Sequence, residues 1–264
     1  MRGRIESVAP LVAALAITCV FAVLHVPEAV PPGHVAGEIK PDGYDYAYGA
    51  QSLLRGSYEV TWDGTRRPPM YPPGTSILLA PSVAVGGVEA SVWTVYVLAL
   101  VLGLLAALLA GKIGHPMAAP LSVALTLLPM GPGTLARTVM SDLPSSDLPS
   151  AALVLLQLAA LVVRPRARWV IIAGFVSGYL VSLRYSNAGF VLAGIVGLTG
   201  WPSWRRNALW YSAAAAVPVL LLLVFHRWAF GSPLATGYIT GWSGTLWGAK
   251  AQQRSGCRPQ LLLA

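Results

Sequence analysis

The run Pro41-Asp42-Gly43-Tyr44-Asp45-Tyr46 sets two carboxylates among tyrosines in a chain that is otherwise poor in acids. A positioned carboxylate can take a proton from a hydroxyl in a transition state, and aromatic rings beside it can hold a polyhydroxylated substrate. Tyr46, Ala50 and Leu54 recur four apart, so they share one face of a short helix, with Asp42 at its amino-terminal end. There Asp42 is either such a base or an N-cap that accepts backbone N–H bonds. Asp45 is expected in solvent or in a supporting position. The cluster of Tyr44, Tyr46 and Tyr48 either lines a sugar site or anchors its loop at lipid headgroups.

A second acid-bearing stretch carries a small tandem duplication. Ser141-Asp142-Leu143-Pro144-Ser145 is followed at once by Ser146-Asp147-Leu148-Pro149-Ser150, so Asp142 and Asp147 are equivalent by sequence. Arg137 precedes them. Arg184-Tyr185-Ser186-Asn187 interrupts two apolar stretches further on. The four histidines are scattered and show no ligand spacing, and the two cysteines, Cys19 and Cys257, form no disulfide framework. No metal or other cofactor is indicated.

The elements that must hold these residues are apolar. Of 264 residues, 55% are hydrophobic and 11% charged, where a soluble domain carries about 25%. The deficit points to lipid as the solvent. The net charge of +8 has no basic run of the length that binds nucleic acid. The first apolar run, Val8 to Val26, reads as an uncleaved anchor in preference to a signal peptide. Residues 27–73 form a polar, Pro/Gly-rich outer loop. Thr75 to Val85 is too short to span and reads as a re-entrant or interfacial helix. Further spans are expected over Ala90–Ala110, Ala118–Met130, Ala151–Val163, Trp169–Leu183, Ala188–Gly200 and Leu209–Phe225. The two stretches flanking Arg184 are two short legs or one broken helix.

Counting them as separate legs gives seven spans and a sorted charge. Arg2, Arg4, Lys112, Arg164, Arg166, Arg168, Arg205 and Arg206 then lie on one side with Glu6, and every other acid lies on the other. That is the positive-inside pattern with a cytoplasmic amino terminus. The expected fold class is an all-α polytopic transmembrane bundle in the cell membrane, with juxtamembrane helices over residues 42–56 and 75–85. No span contains an acid, so chemistry or binding is expected at the outer surface, in contrast to the buried carboxylates of ion-coupled transporters.

Several ordered motifs resemble GT-C glycosyltransferases. They are Asp42-Gly43-Tyr44-x-Tyr46, Ala50-x-x-x-Leu54-x-Gly56, Tyr71-Pro72-Pro73-Gly74 and Leu78-Leu79-Ala80-Pro81. Ser141-Asp142, Ala173-Gly174-x-x-x-Gly178 with Arg184 and Asn187, Phe230-Gly231-Ser232-Pro233 and Thr236-Gly237-Tyr238 follow. The chain is most similar to the dolichyl-phosphate-mannose–protein mannosyltransferase-like group, which includes bacterial lipid A aminoarabinose transferases. The likeness covers about residues 8 to 240 and rests on motif order more than on any one motif. Residues 241–264 resemble nothing in that group and read as the tail of a truncated or frameshifted product.

The resemblance implies an inverting transfer of a sugar from a polyprenyl phosphate to a lipid, glycan or protein acceptor. Asp42 would be the base, with Asp142 orienting the acceptor or the base and Asp147 or Asp45 as alternative acids. Arg184 would stabilise the leaving phosphate, or else snorkel at the interface. Arg66, Arg67 and Arg137 are further phosphate candidates. Tyr44, Tyr46 and Tyr71 are the expected substrate contacts, although aminoarabinose transferases carry Lys where this chain has Tyr71. Tyr71-Pro72-Pro73-Gly74 also suits a rigid turn. A monophosphate donor leaves no diphosphate for a metal to clamp. The competing readings are a transporter or flippase of a lipid-linked substrate and a non-catalytic membrane scaffold.

Overall fold

The computed structural model describes residues 2–24, 41–62, 65–114, 117–127, 147–163, 167–201 and 203–237. These are mostly helical. The helices are α1 (Arg2–Leu24), α2 (Pro41–Leu54), α3 (Gly74–Gly86), α4 (Ser91–Ile113), α5 (Ala118–Leu127), α6 (Asp147–Val163), α7 (Ala167–Leu183), α8 (Ala188–Leu198) and α9 (Trp204–Phe230). Short 3-10 turns, Val88–Ala90 and Tyr185–Asn187, lead into α4 and α8.

The outer-loop sequence contains more than helix. Strands β1 (Val60–Trp62) and β2 (Thr65–Arg67) pair antiparallel, with Thr61 opposite Arg66. This hairpin departs from the all-α expectation. Its strands are three residues each, too short for an alternating pattern to reveal.

Two helical stretches, Val88–Ile113 and Trp204–Phe230, are long and apolar enough to cross a membrane. The 27 residues of α9 extend about 40 Å. The other apolar stretches are shorter, that of α1 running over Ala9–Leu24. The 11 residues of α8 reach about 16 Å, against roughly 30 Å of hydrocarbon. Among the described residues, two stretches and not seven have the length and composition of a full span. Helix α6 starts at Asp147, four residues before the expected boundary. A carboxylate in the first turn suits the helix dipole, and Pro149 near the start requires no internal N–H partner.

Packing directions follow from a few contacts. Helix α7 carries Gly174 and Gly178 against the backbone of Tyr211 and Ala215 in α9. A Cβ at Gly174 would overlap the Tyr211 carbonyl, and one at Gly178 the Ala215 carbonyl. The small-x-x-x-small spacing lets the two backbones touch, and the residue order makes α7 and α9 parallel. Leu198, at the end of α8, joins a buried cluster with Val170 and Ala173 near the start of α7. Helix α8 therefore folds back along α7, so the two legs form a hairpin in place of one broken helix. Gln157 of α6 closes this region, donating to the Phe190 carbonyl at 3.1 Å and to Tyr211 Oη at 3.0 Å.

Across the bundle, the Tyr96 hydroxyl of α4 donates to the Ala22 carbonyl of α1, which makes those helices antiparallel. Ala14, Phe21, Ala107, Ala119, Val123 and Leu127 form the core between α1, α4 and α5. One end of the bundle collects Lys112, Arg168, Arg205 and Arg206, near the carboxy terminus of α4 and the amino termini of α7 and α9. Asp45, Glu59, Glu89 and Asp147 lie at the opposite end. Helices α2 and α3 lie across that acidic end, where Tyr46, Ala50, Leu79 and Val83 pack on Val92 and Val95 at the start of α4.

Candidate functional site

The acidic end is built around the Pro-Pro turn. Gly74 follows Pro72 and Pro73 and starts α3 against the end of α7. A Cβ there would overlap the Ser182 carbonyl, so glycine is what permits the approach. Tyr179 of α7 fixes the same point by donating to the Gly74 carbonyl at 2.9 Å. A Cβ at Gly237 would overlap the Pro69 carbonyl, which places the Thr236-Gly237 motif beside the turn. The Phe230-Gly231 motif ends α9 with Gly231 at φ 77°, the left-handed C-cap that glycine adopts without cost.

Helix α2 is locked to this turn through Asp45. Its side chain is buried, and its carboxylate takes the Arg67 guanidinium at 3.1 Å and the Met70 N–H at 2.8 Å. Of the two places expected for Asp45, solvent is ruled out: it is a buried structural acid that supports the turn. Its partners lie 22 and 25 residues away, out of reach of local patterning. Arg67 is held inward by the same pair. Tyr46 is buried in the α2–α3 core with its ring 5.1 Å from that of Tyr71, so it lines no open surface. Tyr71 is partly buried, and its carbonyl accepts from Tyr58 Oη at 3.1 Å. Leu54, expected on the Tyr46–Ala50 face, is exposed.

Asp42 occupies the first turn of α2, one turn before Tyr46. Asp142 and Arg137 lie outside the described residues. Asp147, the second copy of the repeat, pairs with Arg184 at 2.7 Å. Both are accessible, with side chains 68% and 38% exposed. Leu148 beside it packs against the Tyr46–Leu79 cluster, and Asn187 donates to Ser150 Oγ at 2.9 Å. The α7–α8 corner is thereby joined to the start of α6 and to the α2–α3 layer.

Two groups that sequence reading passed over complete this end. His226 Nδ1 faces the Pro233 carbonyl at 3.2 Å, and Nε2 faces Tyr185 Oη at 3.0 Å. A carbonyl can only accept, so Nδ1 carries the proton and Nε2 accepts from the tyrosine. The adjacency of Tyr185 to Arg184 was the available signal. Tyr58 packs edge-on against Phe225 at 4.9 Å, and burial pushes its phenol well above its ordinary value.

A polar cavity of about 390 Å³ opens between α2 and the hairpin. Tyr44, Tyr48, Arg55, Glu59 and Arg66 are among its lining residues. Tyr44 donates to the Thr61 carbonyl at 2.7 Å and lies 4.2 Å from the Tyr48 ring. Among the described residues, no three His, Cys, Asp or Glu side chains gather as a metal set.

No protein-family model matches the chain, and neither a curated protein nor a solved structure does.

Proposed function

We propose that the chain is a membrane glycosyltransferase of the GT-C type. It moves a sugar from a polyprenyl phosphate to an acceptor hydroxyl at the outer face, with inversion. The observation that carries this reading is convergence. Segments far apart in sequence, each quoted for the resemblance, meet at one end of the bundle. They are the Asp42 helix, the Pro72-Pro73-Gly74 turn, the Arg184 corner and the Gly231–Gly237 segment.

In this reading Asp42 accepts the acceptor's proton as the acceptor oxygen attacks the anomeric carbon. The bond from that carbon to the phosphate oxygen breaks on the opposite face, and the lipid phosphate leaves with the electron pair. Arg184 stabilises the charge that develops there. Asp147 holds Arg184 near that position until the phosphate competes for it. Asp142 is the corresponding acid of the first repeat copy. Arg66 lines the α2–hairpin cavity, and in this reading it serves the acceptor in place of the donor phosphate for which the resemblance suggested it.

The bundle is proposed as multi-pass in the cell membrane with a cytoplasmic amino terminus. The gathering of Lys112, Arg168, Arg205 and Arg206 at one end of the bundle supports that orientation. Seven crossing segments remain the proposed count, with α5 and α8 crossing a membrane thinned around them or completing the passage with flanking residues. Asp42→Asn tests the chemistry: the variant inserts and extracts like the parent and loses transfer. Full transfer by that variant overturns Asp42 as the base.

A further inference from the structure

We infer that the cavity between α2 and the β1–β2 hairpin binds a pyranose that carries an anionic group. The inference rests on the transferase reading only in naming this sugar part of the acceptor; binding itself needs no transfer. The cavity is about 390 Å³, within the range that encloses a small ligand and close to what one or two sugar rings need. Among the described residues its walls hold two guanidinium groups, Arg55 and Arg66, against one carboxylate, Glu59. Both arginines are exposed, and among the described residues neither is tied to an acid in the way that Asp45 ties Arg67. Their planar forks suit bidentate recognition of a carboxylate or a phosphate.

The remaining wall suits a ring with hydroxyls. Tyr44 and Tyr48 stack with their rings tilted by 30°, offering an aromatic edge and face to the apolar side of a pyranose. Tyr44 is held in place by its bond to Thr61. Burial, then the neighbouring Tyr44 and Glu89, raises the Tyr48 phenol, so it remains a hydroxyl donor at neutral pH. Gln51 adds an amide, and Glu59 accepts from sugar hydroxyls. Ser52 accepts the Glu59 N–H at 2.9 Å and bonds Ser57 at 2.9 Å, which fixes the floor where α2 meets β1. Arg66 lies on β2 and Arg55 in the turn that closes α2, so both stand on ordered backbone, which limits the ordering cost of binding.

Two sources present this chemistry: a uronic acid within a glycan, and a sugar phosphate within a lipid headgroup. Binding to the detergent-purified chain, followed by saturation-transfer NMR, separates them. The probes are methyl glucuronide, glucose 6-phosphate, methyl glucoside and inorganic phosphate. Saturable binding of methyl glucuronide or glucose 6-phosphate is expected, and the tighter of the two identifies the source. Methyl glucoside and phosphate alone are each expected to bind at least about tenfold more weakly. Arg55→Gln and Arg66→Gln are each expected to weaken the charged sugar about tenfold. Both residues are exposed, so a matched thermal transition shows that the variants fold. Tyr48→Ala removes the ring wall and lowers affinity for both charged sugars. Equal binding of methyl glucoside overturns the anionic requirement, equal binding of phosphate overturns the sugar, and no binding of any probe overturns the site. Loss of transfer in Asp42→Asn with sugar binding intact separates this inference from the catalytic reading.

Discussion

Asp45 and Asp147 illustrate how one residue type takes opposite roles in this molecule. Asp45 is 1% exposed and joins α2 to the Pro-Pro turn through Arg67 and Met70. Removing one partner of a buried pair leaves an uncompensated charge, a loss of about 3 kcal/mol. Asp45→Ala is therefore expected to lower the thermal transition in detergent, and Asp45→Asn to recover part of it by still accepting the Met70 N–H. Asp147→Asn is expected to leave that transition unchanged, because exposed pairs contribute roughly 0–1 kcal/mol. Tyr58 gives a pH prediction. Its folded pKa lies above its ordinary 10.0 because of burial, so the stability it contributes is complete below about pH 10 and declines as pH rises further. Alkaline unfolding is expected to be less steep in Tyr58→Phe, as followed by circular dichroism. The sequence made Asp42 and Arg184 visible as candidates through their positions at helix ends. Asp45 stayed open between solvent and a supporting position because its partners are remote in the chain.

The glycines of α7 and α3 act at the level of helix packing. Gly174 and Gly178 set the closest approach between α7 and α9, and Gly74 seats α3 on the end of α7. Gly178→Ala and Gly74→Ala each force backbone shifts, with an expected loss of about 1–3 kcal/mol. Gly189→Ala in α8 meets nothing within 4 Å and is expected to be neutral or slightly stabilising. Thermal unfolding of the three variants side by side checks this ranking. Element boundaries were legible where apolar composition changes abruptly. Thr75–Val85 was expected and Gly74–Gly86 is found; the Arg184–Asn187 interruption became the α7–α8 corner. The hairpin was not read, although Asp63-Gly64 between Trp62 and Thr65 is a strong turn signal. The return of α8 along α7 agrees with the separate-legs count, which the placement of Arg205 and Arg206 favoured.

At the scale of the whole molecule, one end of the bundle gathers cations and the other mixes acids with arginines. Lys112, Arg168, Arg205 and Arg206 lie opposite the end where Asp45, Asp147 and the α2–hairpin cavity lie. An orientation test follows. With Cys19 and Cys257 replaced by serine, a cysteine at Gly56 is expected to react with an impermeant maleimide on intact cells. One at Arg206 is expected to react only after permeabilisation. The reverse pattern contradicts the proposed topology. The central claim is that this end transfers a sugar from a lipid phosphate, and one measurement addresses it most directly. The purified chain is incubated with radiolabelled polyprenyl-phosphate sugars and a membrane lipid and glycan extract. The account predicts label in the acceptor fraction above a heat-killed control, and none above it for Asp42→Asn. Absence of transfer by folded, helical protein across the donors, or equal transfer by Asp42→Asn, would contradict it.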